Sequence, residues 1–274
     1  MIQAKSKLSR MKDKYRHFWK GIKYKLFSRH RYGFGIHSPF VFEFITEVLR
    51  NSEEKHVYAK IEGLRKRLRS SQEIVSYMDP GSGSVTLPVK NRKITDIAKA
   101  ASISSKYGKL IYRIVEKYTP ETIVEIGTSL GISTLYLSKA NEKAQVYTLE
   151  GAEPVAKIAQ DNFSGMNANN IQLRAGLFKD SLPEILSELK SVDLVFFDGN
   201  HTKDATLDYF NQCLDKAGNQ TIFIFDDIHW SEGMEDAWNI IKANERVSIS
   251  IDLFRIGIVF FNKGLTREDF IIRY

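Results

Sequence analysis

From Thr122 to Asn262 short β-rich runs alternate with helical stretches, and this alternation limits the chain to few folds. The β-rich runs are Thr122–Ile126, Gln145–Leu149, Asn170–Arg174, Val192–Phe197 and Thr221–Phe225. Helical patterns fill 131–140, 154–163, 181–190, 203–216 and 232–243, and a further helix over 105–118 stops before Pro120. Repeated β/α units with apolar strands imply a doubly wound, mostly parallel sheet with helices on both faces. Two further runs, Val247–Phe254 and Ile256–Asn262, are nearly contiguous, so they must form an antiparallel hairpin. The expectation is a seven-stranded α/β sheet over 96–274, preceded by a helical extension over 1–95.

Charge separates the two parts. Residues 1–31 hold eleven Lys/Arg against one acid, Asp13, whereas the remainder is mildly acidic within a chain of net charge +7. Leu8, Met11, Tyr15, Phe18, Trp19, Ile22 and Leu26 recur at helical spacing over residues 2–27. This basic amphipathic arm suits packing on the body or a second copy in a homodimer, an anionic membrane surface, or nucleic acid. Ser38-Pro39 marks a helix start, with residues 39–50 apolar and 53–76 a charged helix. Asp79–Ser84 reads as a flexible loop, and His37 as structural. The single cysteine, Cys213, excludes a disulfide scaffold and a cysteine-based zinc site. No apolar run reaches the roughly 20 residues of a membrane span, and no secretory signal is evident. The expected setting is cytoplasmic, with the arm peripheral at the inner membrane face.

Ligands of open α/β sheets sit outside the carboxyl ends of the strands. After the first strand comes Glu125-Ile-Gly127-Thr128-Ser129-Leu-Gly131-Ile-Ser133, a tight loop that is neither a dinucleotide nor a triphosphate fingerprint. Glu150, 23 residues after Gly127, can accept both hydroxyls of a ribose, with Gly151 beside it; the alternative is a surface acid. Gly176-Leu177-Phe178 suits the edge and face of an adenine. The fourth and fifth strands deliver Asp198-Gly-Asn-His201 and Asp226-Asp227-Ile-His229. Asp198, Asp226 and Asp227 would make an all-oxygen site for Mg²⁺ or another divalent cation; alternatively, one Asp caps a helix and another meets the cofactor. His201 suits a general base, with His229 as its competitor.

With these motifs in order, residues 103–262 resemble the S-adenosylmethionine-dependent methyltransferases, chiefly the catechol and caffeoyl-CoA O-methyltransferases. The resemblance implies a Rossmann-like methyltransferase fold and S-adenosylmethionine as cofactor. It assigns Ser104 to an entry segment beside the methionine part, Glu125 to Ser133 to the cofactor loop, Glu150 to the ribose and Gly176–Phe178 to the adenine. It matches Asp198 to a metal ligand and to the catalytic centre. Two positions depart from the family: Asp227 stands for its usual Asn, and His201 for its Lys. The Asp-Gly-Asn-His run also resembles a broader methyltransferase group in which metal use is not general. The first ~95 residues resemble the front end of a bacterial branch of the superfamily, which implies no substrate. The expected reaction is O-methylation of a small-molecule hydroxyl. The rivals are an RNA methyltransferase that holds phosphates with the basic arm, and a non-catalytic adaptor. The chain lacks the Asn/Asp-Pro-Pro-aromatic segment of base-methylating enzymes at the fourth strand.

Overall fold

A computed structural model describes residues 35–78 and 89–274, together with Gly21, Ile22, Tyr24, Ser28 and Gly33. The expected arm helix lies outside these residues except at Gly21, Ile22 and Tyr24, which are helical, and the Asp79–Ser84 loop lies wholly outside them.

In chain order the elements are α1 (Pro39–Glu43, continued by a π-turn over Phe44–Leu49), α2 (His56–Ser70), β1 (Ile74–Met78), β2 (Val89–Lys93), α3 (Ile94–Ala100), α4 (Ser105–Tyr118), β3 (Thr122–Ile126) and α5 (Ile132–Ala140). There follow β4 (Gln145–Glu150), α6 (Glu153–Gly165), β5 (Ile171–Ala175), α7 (Phe178–Glu188), β6 (Val192–Phe197), α8 (Lys203–Leu214), β7 (Ala217–Phe225), α9 (Glu232–Ala243), β8 (Ile249–Asp252), β9 (Gly257–Phe260) and β10 (Glu268–Ile271). Besides the β1–β2 pair, the described residues form eight strands, one more than expected. The extra strand, β10, is exposed along most of its length and carries no apolar run. The fold is α/β with a mostly parallel sheet.

The chain divides into two compact units. Residues 51–199 contain strands in the order β6-β3-β4-β5, all parallel. β3 and β6 are buried along nearly their whole length, which is why they read as nearly continuous apolar runs. The helix expected over 53–76 ends at Ser70, and Ile74–Met78 instead pairs antiparallel with Val89–Lys93, so the segment before residue 95 is not wholly helical. Helix α7 begins at Phe178, ahead of the expected 181, and carries Pro183 inside it.

The other unit joins residues 1–50 to 200–274, with strands in the order β10-β8-β9-β7. β8 and β9 form the expected hairpin, and β10 runs parallel to β8. An aromatic core of Phe210, Phe223, Phe225, Trp238 and Phe261 fills this unit. Ser38 caps α1 as expected, its hydroxyl accepting from the Val41 amide at 3.4 Å. The helix it starts lays Phe40 and Phe44 edge-on to Phe260.

Candidate functional site

In the 51–199 unit the chain leaves β3 upward through the glycine loop and returns to the other side of β3 only at β6. The carboxyl ends of these neighbouring strands therefore flank a topological switch point, the place where such sheets bind ligands. Gly127 (φ +106°) lies so close to this crossing that an added Cβ would sit 2.5 Å from the Asp198 carbonyl oxygen. The Asp198 amide donates to the Ile126 carbonyl at 2.9 Å. Gly131 (φ +81°) starts α5 with its Cα against the ring of Phe163. Neither position has room for a side chain.

The loop is anchored from several sides. The Gly127 and Thr128 amides donate to the Leu149 carbonyl at 3.0 and 2.9 Å. The Thr128 and Thr148 hydroxyls share a buried hydrogen bond of 2.6 Å. Ser129 adopts a left-handed backbone (φ 49°), which turns its amide onto Glu150 Oε2 at 2.8 Å. Glu150 Oε1 accepts from the Ala152 amide at 3.0 Å, past half-buried Gly151. The acid at the end of β4 thus joins the glycine loop to the next helix. The Ser129 hydroxyl is buried without a hydrogen-bond partner.

Beneath the loop Glu125 is wholly buried. Its Oε2 accepts from Thr134 and, at 2.6 Å, from Thr148, while Oε1 has no partner. Burial pushes its pKa up to about 7, against the Ser133, Thr134 and Thr148 hydroxyls, which favour the carboxylate. Glu125 therefore supports the loop from below. Buried Ser133 lies in the first turn of α5.

After β5, Gly176 (φ +144°) has open space where a side chain would project, and Leu177 is 39% exposed. The Phe178 ring lies against Gly199. Ser104 precedes α4, and its carbonyl accepts from the Gly108 amide. This entry is braced by Arg65, which donates to Glu62 and to the Ile103 carbonyl, and by Tyr136, which donates to Glu62 at 2.8 Å. The structure thus gathers the Glu125–Ser133 loop, Glu150, Gly176–Phe178 and Asp198 at the ends of neighbouring strands.

In the other unit His201 is half-buried on the loop leading to α8, after Asn200 in a left-handed conformation. At the end of β7, Asp226 is 1% exposed and Asp227 is left-handed (φ 54°). Arg255 binds Asp226 bidentately, Nε to Oδ1 at 2.9 Å and an NH₂ nitrogen to Oδ2 at 2.7 Å, and its Nε lies 3.4 Å from Asp227 Oδ1. His229 sits between Asp252 (Nε2 to Oδ2, 2.8 Å) and Glu235 (Nδ1 to Oε1, 3.1 Å) and stacks on Phe254.

Residues 124–228 match the model of a methyltransferase domain family. Over this stretch, which is less than half of the chain, the sequence is similar to a methyltransferase domain. A catechol O-methyltransferase of Niastella koreensis is 28% identical over 132 residues, 47% of this chain and 59% of that protein. The chain thus spans less than two thirds of that relative. An O-methyltransferase of Bacillus cereus, solved with S-adenosylhomocysteine, has a TM-score of 0.55 at 22% identity, covering 81% of this chain and 97% of that one. An O-methyltransferase of Streptomyces achromogenes, solved with S-adenosylmethionine, has a TM-score of 0.54 at 16% identity, covering 77% and 91%. Both structures share the fold of the methyltransferase domain.

S-Adenosylmethionine fits the domain: an unpartnered buried serine hydroxyl, open space at Gly176 and an acid one strand over all meet its needs. A divalent cation fits poorly. Both Asp226 oxygens are committed to a guanidinium, and among the described residues no three His, Cys, Asp or Glu gather as a metal site. The metal expectation at Asp198, Asp226 and Asp227 gains no support here. Arg255 itself escaped the sequence reading, although a lone charge inside the apolar turn Leu253-Phe254-Arg255-Ile256 was a visible signal. Thr134 and Thr148 escaped it too. They were visible only as hydroxyls in otherwise apolar runs.

Proposed function

We propose that this chain transfers a methyl group from S-adenosylmethionine to the hydroxyl oxygen of a small-molecule acceptor. The observation that carries the reading is the Glu150 carboxylate clamped to the Ser129 amide, because it fixes an acid beside the glycine loop where a ribose is expected. When bound, the cofactor supplies a methyl group already activated by its sulfonium. The chain's own task is then to bind, orient and take a proton. Glu150 accepts the ribose hydroxyls, since a carboxylate serves several donors at once. Leu177 and Phe178 give the adenine an apolar edge and face. The Glu125–Ser133 loop fixes the cofactor's depth, held up by the buried Glu125. Reacting atoms held in line at near-contact distance react far faster than free ones. In this reading the His201 imidazole takes the acceptor's hydroxyl proton on an unprotonated ring nitrogen.

Calorimetric titration with S-adenosylhomocysteine tests the cofactor site. The wild-type chain should bind, and Glu150→Ala should bind roughly 10–100-fold more weakly, as expected when charge-assisted hydrogen bonds are lost. Absence of wild-type binding would overturn the reading and favour the adaptor.

A further inference from the structure

Asp226 and Asp227, two of the acids expected to hold a divalent ion, already have a cation of the chain's own, Arg255. Arg255 stands in the turn between β8 and β9, and this turn is fixed at both ends. The Leu253 amide donates to the Ile256 carbonyl at 2.9 Å, and the Phe254 amide donates to Asp252 Oδ1 at 2.7 Å. The Ile228 amide donates to the Arg255 carbonyl at 3.2 Å, tying the turn to the segment that follows Asp227. Phe254 (φ 73°) and Asp227 (φ 54°) both hold left-handed conformations that side chains rarely adopt. Such strain persists only where the surroundings determine it. Together these constraints aim the guanidinium at Asp226 and Asp227.

A divalent ion would need carboxylate oxygens at about 2.0–2.6 Å. The two oxygens of the more buried acid already accept from a planar fork that matches them and stays protonated at any ordinary pH. We propose that Arg255 is a built-in substitute for a divalent cation, so that the methyl transfer proposed above, on which this inference rests, is independent of metal. An acceptor is then not selected by chelation through two adjacent hydroxyls, and one hydroxyl suffices.

Manganese binding by the full-length chain, followed by electron paramagnetic resonance, tests this without reference to activity. The wild-type chain should leave Mn²⁺ free at about millimolar concentration, the weak end of the range for protein sites of hard divalent cations. Arg255→Ala should gain affinity by at least about tenfold, and adding Asp226→Asn should abolish the gain. Wild-type S-adenosylhomocysteine affinity should be the same with chelator and with Mn²⁺. Tight wild-type Mn²⁺ binding that Asp226→Asn removes would overturn the proposal, as would an Arg255→Ala chain that folds and gains nothing. If Arg255→Ala does not fold, Arg255→Lys replaces it, because a point charge cannot satisfy both oxygens, and the wild-type titration still decides by itself. Failure of the methyltransferase reading would show separately, as loss of S-adenosylhomocysteine binding in every arm, with the Mn²⁺ results still readable.

Discussion

Glu125, near the end of β3, and Asp226, just past the end of β7, are carboxylates buried to nearly the same degree, with 0% and 1% exposure. They meet that burial differently. Glu125 is met by hydroxyls rather than by a cation, and burial, which outweighs them, raises its pKa to about 7, so that a proton offsets its charge. Asp226 has a guanidinium on both oxygens. One unit thus carries a carboxyl that can be neutral at working pH, and the other a fixed ion pair. The difference teaches that burial alone does not set the charge state of a strand-end acid. The partner that the fold delivers sets it.

The largest effect should come from breaking the ion pair. Arg255→Ala leaves Asp226 charged, buried and unpaired, and should cost about 3–5 kcal/mol of stability in urea denaturation. Arg255→Met combined with Asp226→Asn removes both charges and should recover most of that loss. A single-variant loss below about 1 kcal/mol would place the pair with exposed salt bridges and remove the contrast with Glu125.

The second effect is a pH slope. The folded-state pKa of Glu125 lies above its ordinary value of 4.5, so the native chain holds more protons than the unfolded one between 4.5 and about 7. Its contribution to stability is complete below 4.5 and is lost as pH rises through 7, a total on the order of 3 kcal/mol. Glu125→Gln keeps the shape without the titration. The variant should therefore gain relative to wild type across this window, as urea midpoints measured from pH 4 to 8 would show. A parallel pair of curves would mean that folding leaves the Glu125 pKa unshifted.

The same contrast marks what the sequence could reveal. The parallel strands were legible because burial on both faces leaves a visible apolar run, and the acids and glycines at their ends were legible by position. β10 was not legible, because its Glu268-Asp-Phe-Ile run is held by parallel pairing to β8 rather than by an apolar pattern. β1 was absorbed into the preceding helix, because its partner Val89–Lys93 is mostly Lys, Arg and Asn. Asp226 and Asp227 were placed correctly, yet their partner lies 29 residues beyond Asp226, across a hairpin. Charge at a strand end shows in a sequence, but what neutralises it depends on tertiary contacts.

His229 provides a third way of settling buried charge, and the smallest expected effect. Burial by itself would lower its pKa, but hydrogen bonds and charge from Asp252 and Glu235 outweigh burial and raise it. The imidazolium then bridges two carboxylates on the face of Phe254. A raised folded-state value means that its contribution is complete below the ordinary histidine pKa and fades as pH rises through the folded one. His229→Gln keeps a neutral donor and loses the charge, so it should cost roughly 1.5 kcal/mol under mildly acidic conditions and less in alkali. A gap between variant and wild type that stays constant with pH would show a neutral imidazole held by packing alone. That outcome would leave Arg255 as the cation that separates the two units' treatment of buried acids.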